Sequence, residues 1–105
     1  MYTPERGDVV WIMFNPQAGH RPAVVLSPKA YNGKVGLALL CPITSQVKGY
    51  PFEVLLPEGL PVSGAILSDQ VKNLDWKACE AKKICHLPDD VIRKVLQRVK
   101  ALLEP

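Results

Sequence analysis

No apolar run in this sequence approaches the roughly 20 residues needed to cross a bilayer. The opening Met1-Tyr2-Thr3-Pro4-Glu5-Arg6-Gly7 also lacks the apolar core of a secretion signal. Together these absences predict a protein that stays in the cytoplasm and has no membrane partner. Cysteine is scarce: Cys41, Cys79 and Cys85 are odd in number and form no CxxC pair, which argues against both a disulfide framework and a zinc site. They read as free thiols. Cys85-His86 invites metal or nucleophile chemistry, but it falls in a predicted edge strand with no carboxylate or second close pair to support it. There is no Gly-rich phosphate loop, no HExxH, no GxSxG and no locally supported Ser-His-Asp order, so neither a metal nor a cofactor is expected. Only two histidines are present, His20 and His86. A ribonuclease built on a histidine pair would need both in one site, and His86 stands just before the last predicted helix.

The 105 residues, 48% hydrophobic and 22% charged, fit one domain spanning 1–105 with a modest core. No internal repeat, low-complexity tract or linker divides them. A chain this short buries a limited share of its surface, so pairing of two copies through an apolar face is an economical route to stability. The net charge of +3 is mild, yet it favours a polyanion if the cations gather on one face.

Val9 to Phe14 is a β-branched and aromatic run of strand length, followed by turn formers Asn15-Pro16-Gln17-Ala18-Gly19. A second strand runs from about Arg21 to Ser27-Pro28, its Ala23-Val24-Val25-Leu26 reading as buried on both faces. Ser27-Pro28 resembles an N-cap and first helical position, giving a single turn that Asn32-Gly33 ends. Val35 to Cys41 makes strand three, stopped by Pro42, and Ile43 to Gly49 reads as an exposed polar loop. Tyr50 to Leu56, Gly64 to Ser68, Gln70 to Leu74 and Cys79 to His86 complete the strands, with Pro51 marking an edge or a strand start. Leu87-Pro88-Asp89-Asp90 opens a helix with acids that complement its dipole. Its apolar stripe is Val91, Ile92, Val95, Leu96, Val99, Leu102 and Leu103, while Arg93, Lys94, Gln97, Arg98 and Lys100 form a solvated face. The fold class is therefore mainly β with a C-terminal α-helix, as a small, strongly bent antiparallel sheet or SH3-like barrel.

Chemistry concentrates at two loops. Gly19-His20-Arg21-Pro22 places a cation where a loop enters the sheet, with Pro22 biasing Arg21 toward extended geometry. Thr44-Ser45-Gln46 with Lys48 offers hydroxyls, an amide and a second cation. Brought together, they make a pocket fit for a phosphodiester: arginine holds phosphate oxygens in pairs and stabilises a charged transition state. Arginine is a poor base because it stays protonated. Thr44 and Ser45 serve equally well as loop residues that satisfy backbone groups.

Gly7-Asp8 before the first strand, Arg21 to Pro28, Pro42-Ile43-Thr44-Ser45, Lys48 to Val54, and Asp69-Gln70-Val71-Lys72-Asn73-Leu74-Asp75-Trp76 together resemble the MazF/PemK toxins across essentially the whole chain. The resemblance implies the CcdB-like plasmid-maintenance toxin fold and a homodimer. It also implies a metal-independent endoribonuclease that cuts single-stranded mRNA at short sequences without the ribosome and is neutralised by a cognate, MazE-like antitoxin. Attack by the ribose 2'-hydroxyl would leave a 2',3'-cyclic phosphate and a 5'-hydroxyl. On that resemblance Arg21 and Thr44 are the catalytic residues and His20 is a third candidate. Ser45, Gln46, Lys48, Asp69, Gln70 and Phe14 are candidate RNA-binding positions, with Asp69 and Gln70 suited either to reading the edges of unstacked bases or, equally, to tying together the ends of neighbouring strands. Trp11, Tyr50 and Phe52 read as core or interface. The connection between the first two strands is shorter than the family's, which leaves the alignment of His20 ambiguous. Two alternatives follow: a gyrase-poisoning toxin of the same fold, and a binding-competent nuclease made slow by the shortened loop.

Overall fold

The computed structural model describes residues 1–17 and 19–104. In chain order the elements are β1 (Asp8–Asn15), β2 (Gly19–Val25), α1 (Lys29–Val35), β3 (Ala38–Thr44), β4 (Glu53–Leu55), β5 (Ala65–Leu67), β6 (Lys72–Leu74), β7 (Lys82–His86) and α2 (Asp89–Leu103). The strands form one seven-stranded sheet in the order β4-β5-β3-β2-β1-β7, with β6 also on β3. Every pairing is antiparallel. Among the described residues β4 and β7 do not pair with each other, so the sheet stays open and the expected barrel does not close. Helix α2 fills the space instead: Val54 of β4 packs in one cluster with Val91, Ile92 and Val95 of α2 and Val9, Val24 and Ile43 of the sheet. A packed helix shields sheet edges that a closed barrel would abolish. No described helix is long and apolar enough to cross a membrane.

The sheet separates two cores because strand side chains alternate faces. Val9 joins the cluster under α2, whereas Val10, Ile12 and Phe14 join Ala23, Val25, Ala38, Leu40 and Trp76 on the other side. Ala23 to Leu26 is buried throughout, as its uninterrupted apolar run requires.

Several boundaries depart from the sequence reading, each for a local reason. Helix α1 runs through Asn32–Gly33, the step expected to be a turn. Asn32 is fully buried, where its amide donates to the Pro4 and Ser27 carbonyls (2.8 and 3.0 Å) and its backbone oxygen accepts from Trp76 Nε1 (2.9 Å). Ser27 does not cap α1, since its hydroxyl donates to Asn32 Oδ1 (2.5 Å) and the N-cap position is Pro28. The helix ends at Gly36, which is left-handed with φ +81°, the conformation glycine adopts without cost. β3 then starts only at Ala38 and passes through Pro42 to Thr44, so Ile43 is core and the polar loop begins later than expected. Pro42 sits where the outer edge of β3 changes partner, from β6 at residues 38–40 to β5 at 43–44. A residue without an N–H is tolerated at such a break.

β4 is cut to three residues because Glu53 N–H bonds back to Tyr50 O and closes a turn over residues 50–53. β7 starts late because 75–81 coil into turns, with Cys79 N–H on Asp75 O and Ala81 N–H on Trp76 O. The stripe of α2 is buried at Val91, Ile92 and Val95, but Leu102 and Leu103 stand out in solvent. Trp11 and Tyr50, expected in the core or an interface, are not in the core, being 45% and 50% exposed.

Candidate functional site

The site is built where β2 and β3 leave their shared ladder. Their register pairs Ala23 with Pro42, and two positions further out on each strand stand Arg21 and Thr44. Arg21, Pro22, Ile43, Thr44, Ser45, Gln46 and Ser63 line an open hollow of about 450 Å³. Among the described residues no carboxylate pairs with Arg21, so its guanidinium is available to an anion. Thr44 Oγ1 accepts the Gln46 N–H at 3.1 Å, which leaves the hydroxyl proton free to be donated. The loop-satisfying and site-lining roles of Thr44 thus coexist in one side chain.

Gly64, unremarked in the sequence, packs against the backbone of Thr44 behind this hollow's lining. A Cβ there would lie 2.0 Å from Thr44 O, and its φ is +117°. Only glycine combines that backbone with so close an approach. The sole signal in the sequence was a glycine at a strand start.

A second hollow of about 150 Å³ adjoins the first and shares its Thr44 and Gln46 wall. Lys48, Tyr50, Phe52, Glu53, Leu67 and Gln70 complete it. The Glu53 carboxylate accepts the N–H groups of Lys48 (3.2 Å) and Gly49 (2.8 Å), so the cation-bearing loop is held before any ligand arrives. The structure therefore gathers Arg21, Thr44, Ser45 and Gln46 in one hollow and Lys48 and Gln70 in its neighbour.

Three expected site residues lie elsewhere. His20 pairs with Met13 while Arg21 pairs with Ile12, so strand alternation sends adjacent residues to opposite faces. The His20 ring stacks on Trp11 with centroids 6.0 Å apart, and its Nε2 is 3.9 Å from Glu80. Phe14 is 5% exposed within the second core, with Lys72 Nζ 5.2 Å from its ring centre and bonded to its carbonyl at 3.3 Å. Asp69 is exposed and lines neither hollow. Burial, aided by the charge of Asp69, pushes the Cys41 thiol up to about 12, so it is protonated and inert at neutral pH.

A polar cluster on the far side of β1 is saturated by its own bonds. Asp8, 1% exposed, accepts from Tyr2 Oη (2.5 Å), Glu5 N–H (3.0 Å) and His86 Nδ1–H (2.8 Å), with Lys83 Nζ at 3.6 Å. Burial pushes the Asp8 carboxyl up, but these hydrogen bonds and the Lys83 charge outweigh it and hold the group below the usual carboxylate range. Tyr2 is pushed well above its ordinary value, first by burial and then by its bond to Asp8. Glu5, Asp8 and His86 offer three ligand atoms within 4.8 Å, but the Lys83 ammonium beside Asp8 opposes a cation there. The cluster joins β1 to β7.

A family model described as "PemK-like, MazF-like toxin of type II toxin-antitoxin system" matches residues 5–103. The chain belongs to this toxin family. Its relatives include the endoribonuclease toxin MazF of Escherichia coli (strain K12), 44% identical over 107 aligned positions that cover 97% of this chain and 96% of the relative. The endoribonuclease toxin ChpB of the same strain is 37% identical and covers 95% and 94%. Among solved structures, MazF from Deinococcus radiodurans superposes with a TM-score of 0.94 at 48% identity and 98% coverage of both chains. A MazE-MazF structure from that organism gives 0.92 at 48% identity, covering 98% and 97%.

Proposed function

We propose that this MazF/PemK family member acts, as one domain over 1–105, as a sequence-specific, ribosome-independent endoribonuclease toxin on single-stranded mRNA. The observation that carries the reading is that Arg21, without a carboxylate partner among the described residues, lines one open hollow together with Thr44, in a chain whose full-length relatives are named endoribonucleases. That second fact also leaves the gyrase-poison alternative without support.

In this reading the 2'-hydroxyl of the nucleotide before the cut loses its proton and attacks the adjacent phosphorus. The O2'–P bond forms as the P–O5' bond breaks, leaving a 2',3'-cyclic phosphate and a 5'-oxygen that takes up a proton. Arg21 presents paired N–H donors to the non-bridging oxygens as negative charge builds, and hydrogen-bonds the departing oxygen. Thr44 donates its free hydroxyl proton to a phosphate oxygen and fixes the reacting group against the β3 terminus.

A MazE-like antitoxin is the inferred protein partner, as in the Deinococcus MazE-MazF structure, and the cytoplasm is the inferred location. A homodimer is inferred as well, because Leu26, Leu39, Val71, Leu96, Val99 and Leu103 line an apolar hollow of about 570 Å³ that a second copy would cover. The slow-nuclease alternative rests on a connection reduced to residues 16–18 between β1 and β2, of which Ala18 lies outside the described residues.

The test is a digest of unstructured RNA with end-group analysis. The parent yields 2',3'-cyclic and 5'-hydroxyl ends. Folded Arg21→Ala is expected to cut on the order of 100-fold more slowly, and Thr44→Ala at least about tenfold more slowly. Parental rates in both variants would remove the assignment, and supercoiling inhibition without RNA cleavage would restore the gyrase reading.

A further inference from the structure

We infer that Tyr50, backed by Phe52, is a shelf on which one nucleobase flanking the cut phosphodiester stacks. The inference rests on the nuclease reading and names a subsite for it. A single exposed aromatic residue is ordinary, so exposure alone carries nothing. What distinguishes Tyr50 is its setting. Half exposed, its ring lies against Phe52 with centroids 5.4 Å apart and planes 27° from parallel. Both rings line the hollow that shares Thr44 and Gln46 with the Arg21 hollow.

The shelf is rigid before RNA arrives. Tyr50 O accepts the Glu53 N–H at 3.0 Å, and the Glu53 carboxylate holds the N–H groups of Lys48 and Gly49. Phe52 O is bonded by both the Ser68 hydroxyl and the Ser68 N–H, which ties the turn to the end of β5. An exposed ring on a fixed backbone spends little conformational entropy on binding.

The neighbours match a nucleotide. Lys48 supplies positive charge for a phosphate, and the amides of Gln46 and Gln70 stand in the same hollow, where they can meet the donor and acceptor edges of an unstacked base. Single-stranded RNA is held by this combination of a stacking ring, a cation and polar edge readers. Trp11, the other exposed and stacked aromatic, lies on His20 and lines neither hollow.

The probe is a short single-stranded RNA containing the cut sequence found in the digest, with 2-aminopurine placed in turn at each position flanking the cut. A 2'-deoxy sugar at the cut nucleotide removes the attacking hydroxyl, so the parent binds the probe without cleaving it. Quenching at one flanking position is expected in the parent and Tyr50→Phe, and is expected to be lost in Tyr50→Ala. With the cleavable RNA, KM should rise on the order of tenfold in Tyr50→Ala and Tyr50→Leu, kcat should stay within about twofold, and Tyr50→Phe and Tyr50→Trp should remain near the parent. Unchanged KM and quenching in Tyr50→Ala would overturn the inference while leaving the nuclease reading intact. Parental behaviour of Tyr50→Leu would reduce the ring to apolar packing and overturn it too. Normal RNA cleavage by Tyr50→Ala with weakened inhibition by the antitoxin would assign the shelf to a protein partner instead. A parent that neither binds nor cuts RNA would remove both readings.

Discussion

Gly64 and Gly59 have similar backbones and different surroundings, and the contrast separates strain from collision. Both have positive φ, +117° and +92°, but an added Cβ meets Thr44 O at 2.0 Å only at Gly64. Gly59→Ala is expected to cost about 1 kcal/mol of stability through conformation alone. Gly64→Ala should cost more in urea unfolding and should also slow RNA cleavage at least about tenfold by displacing Thr44. Asp8 contributes to the acid limit. A carboxyl held low in the folded state stabilises the fold above its unfolded value of about 3.9, and that stability is lost as pH falls through the lower folded value. Asp8→Asn should therefore lose about 1–3 kcal/mol at pH 7, and its deficit against the parent should shrink below about pH 4. At this scale the meeting of Arg21 and Thr44 in one hollow was legible, because their residue types suit a phosphodiester and both stand where a loop joins a predicted strand. His20 does not line that hollow, because neighbours in a strand take opposite faces. Gly64 was missed because its importance is the proximity of a carbonyl 20 residues earlier in the chain, which no local pattern shows.

The elements were legible where burial follows a period and obscure where one side chain overrides it. β1, β2 and α2 follow their alternating, continuous and three-to-four patterns. α1 does not, since the hydrogen bonding of Asn32 to three other segments, at Pro4, Ser27 and Trp76, outweighs the turn preference of Asn-Gly. Pro42 misled because its strand changes partner at that residue. The stripe of α2 is longer than the sheet it covers. Val95→Ala, at a fully buried position, is expected to lose about 2 kcal/mol in urea unfolding. Leu102→Ala, at 59% exposure, should change stability in urea unfolding by less than about 0.5 kcal/mol.

Across the whole molecule the weak positive charge is unevenly useful. Binding of single-stranded RNA should weaken with salt, with a log-log slope of about −0.7 for each phosphate neutralised. Lys48→Ala should flatten that slope by about 0.7. Arg93→Ala and Lys94→Ala, on exposed positions of α2 away from both hollows, should leave it unchanged. The architecture class was readable because many short strands and one terminal amphipathic helix allow few arrangements. Openness was not, because closure depends on whether two edge strands meet, and α2 occupies the place where they would.

The Asn32–Gly33 step, with Asn32 buried and Gly33 exposed, also has a chemical consequence. Asn-Gly is the pair most prone to lose its side-chain amide, because the following nitrogen can attack the amide carbon with little hindrance. In the folded chain that amide is fixed to Pro4 O, Ser27 O and the Ser27 hydroxyl inside a helix, so it cannot swing into the attacking geometry. Unfolded molecules have no such restraint. Once converted, position 32 would carry a buried carboxyl facing the Pro4 and Ser27 carbonyl oxygens, which costs stability. The same hydrogen bonds that hold Asn32 in place thus also shield its amide from this reaction for as long as the chain is folded.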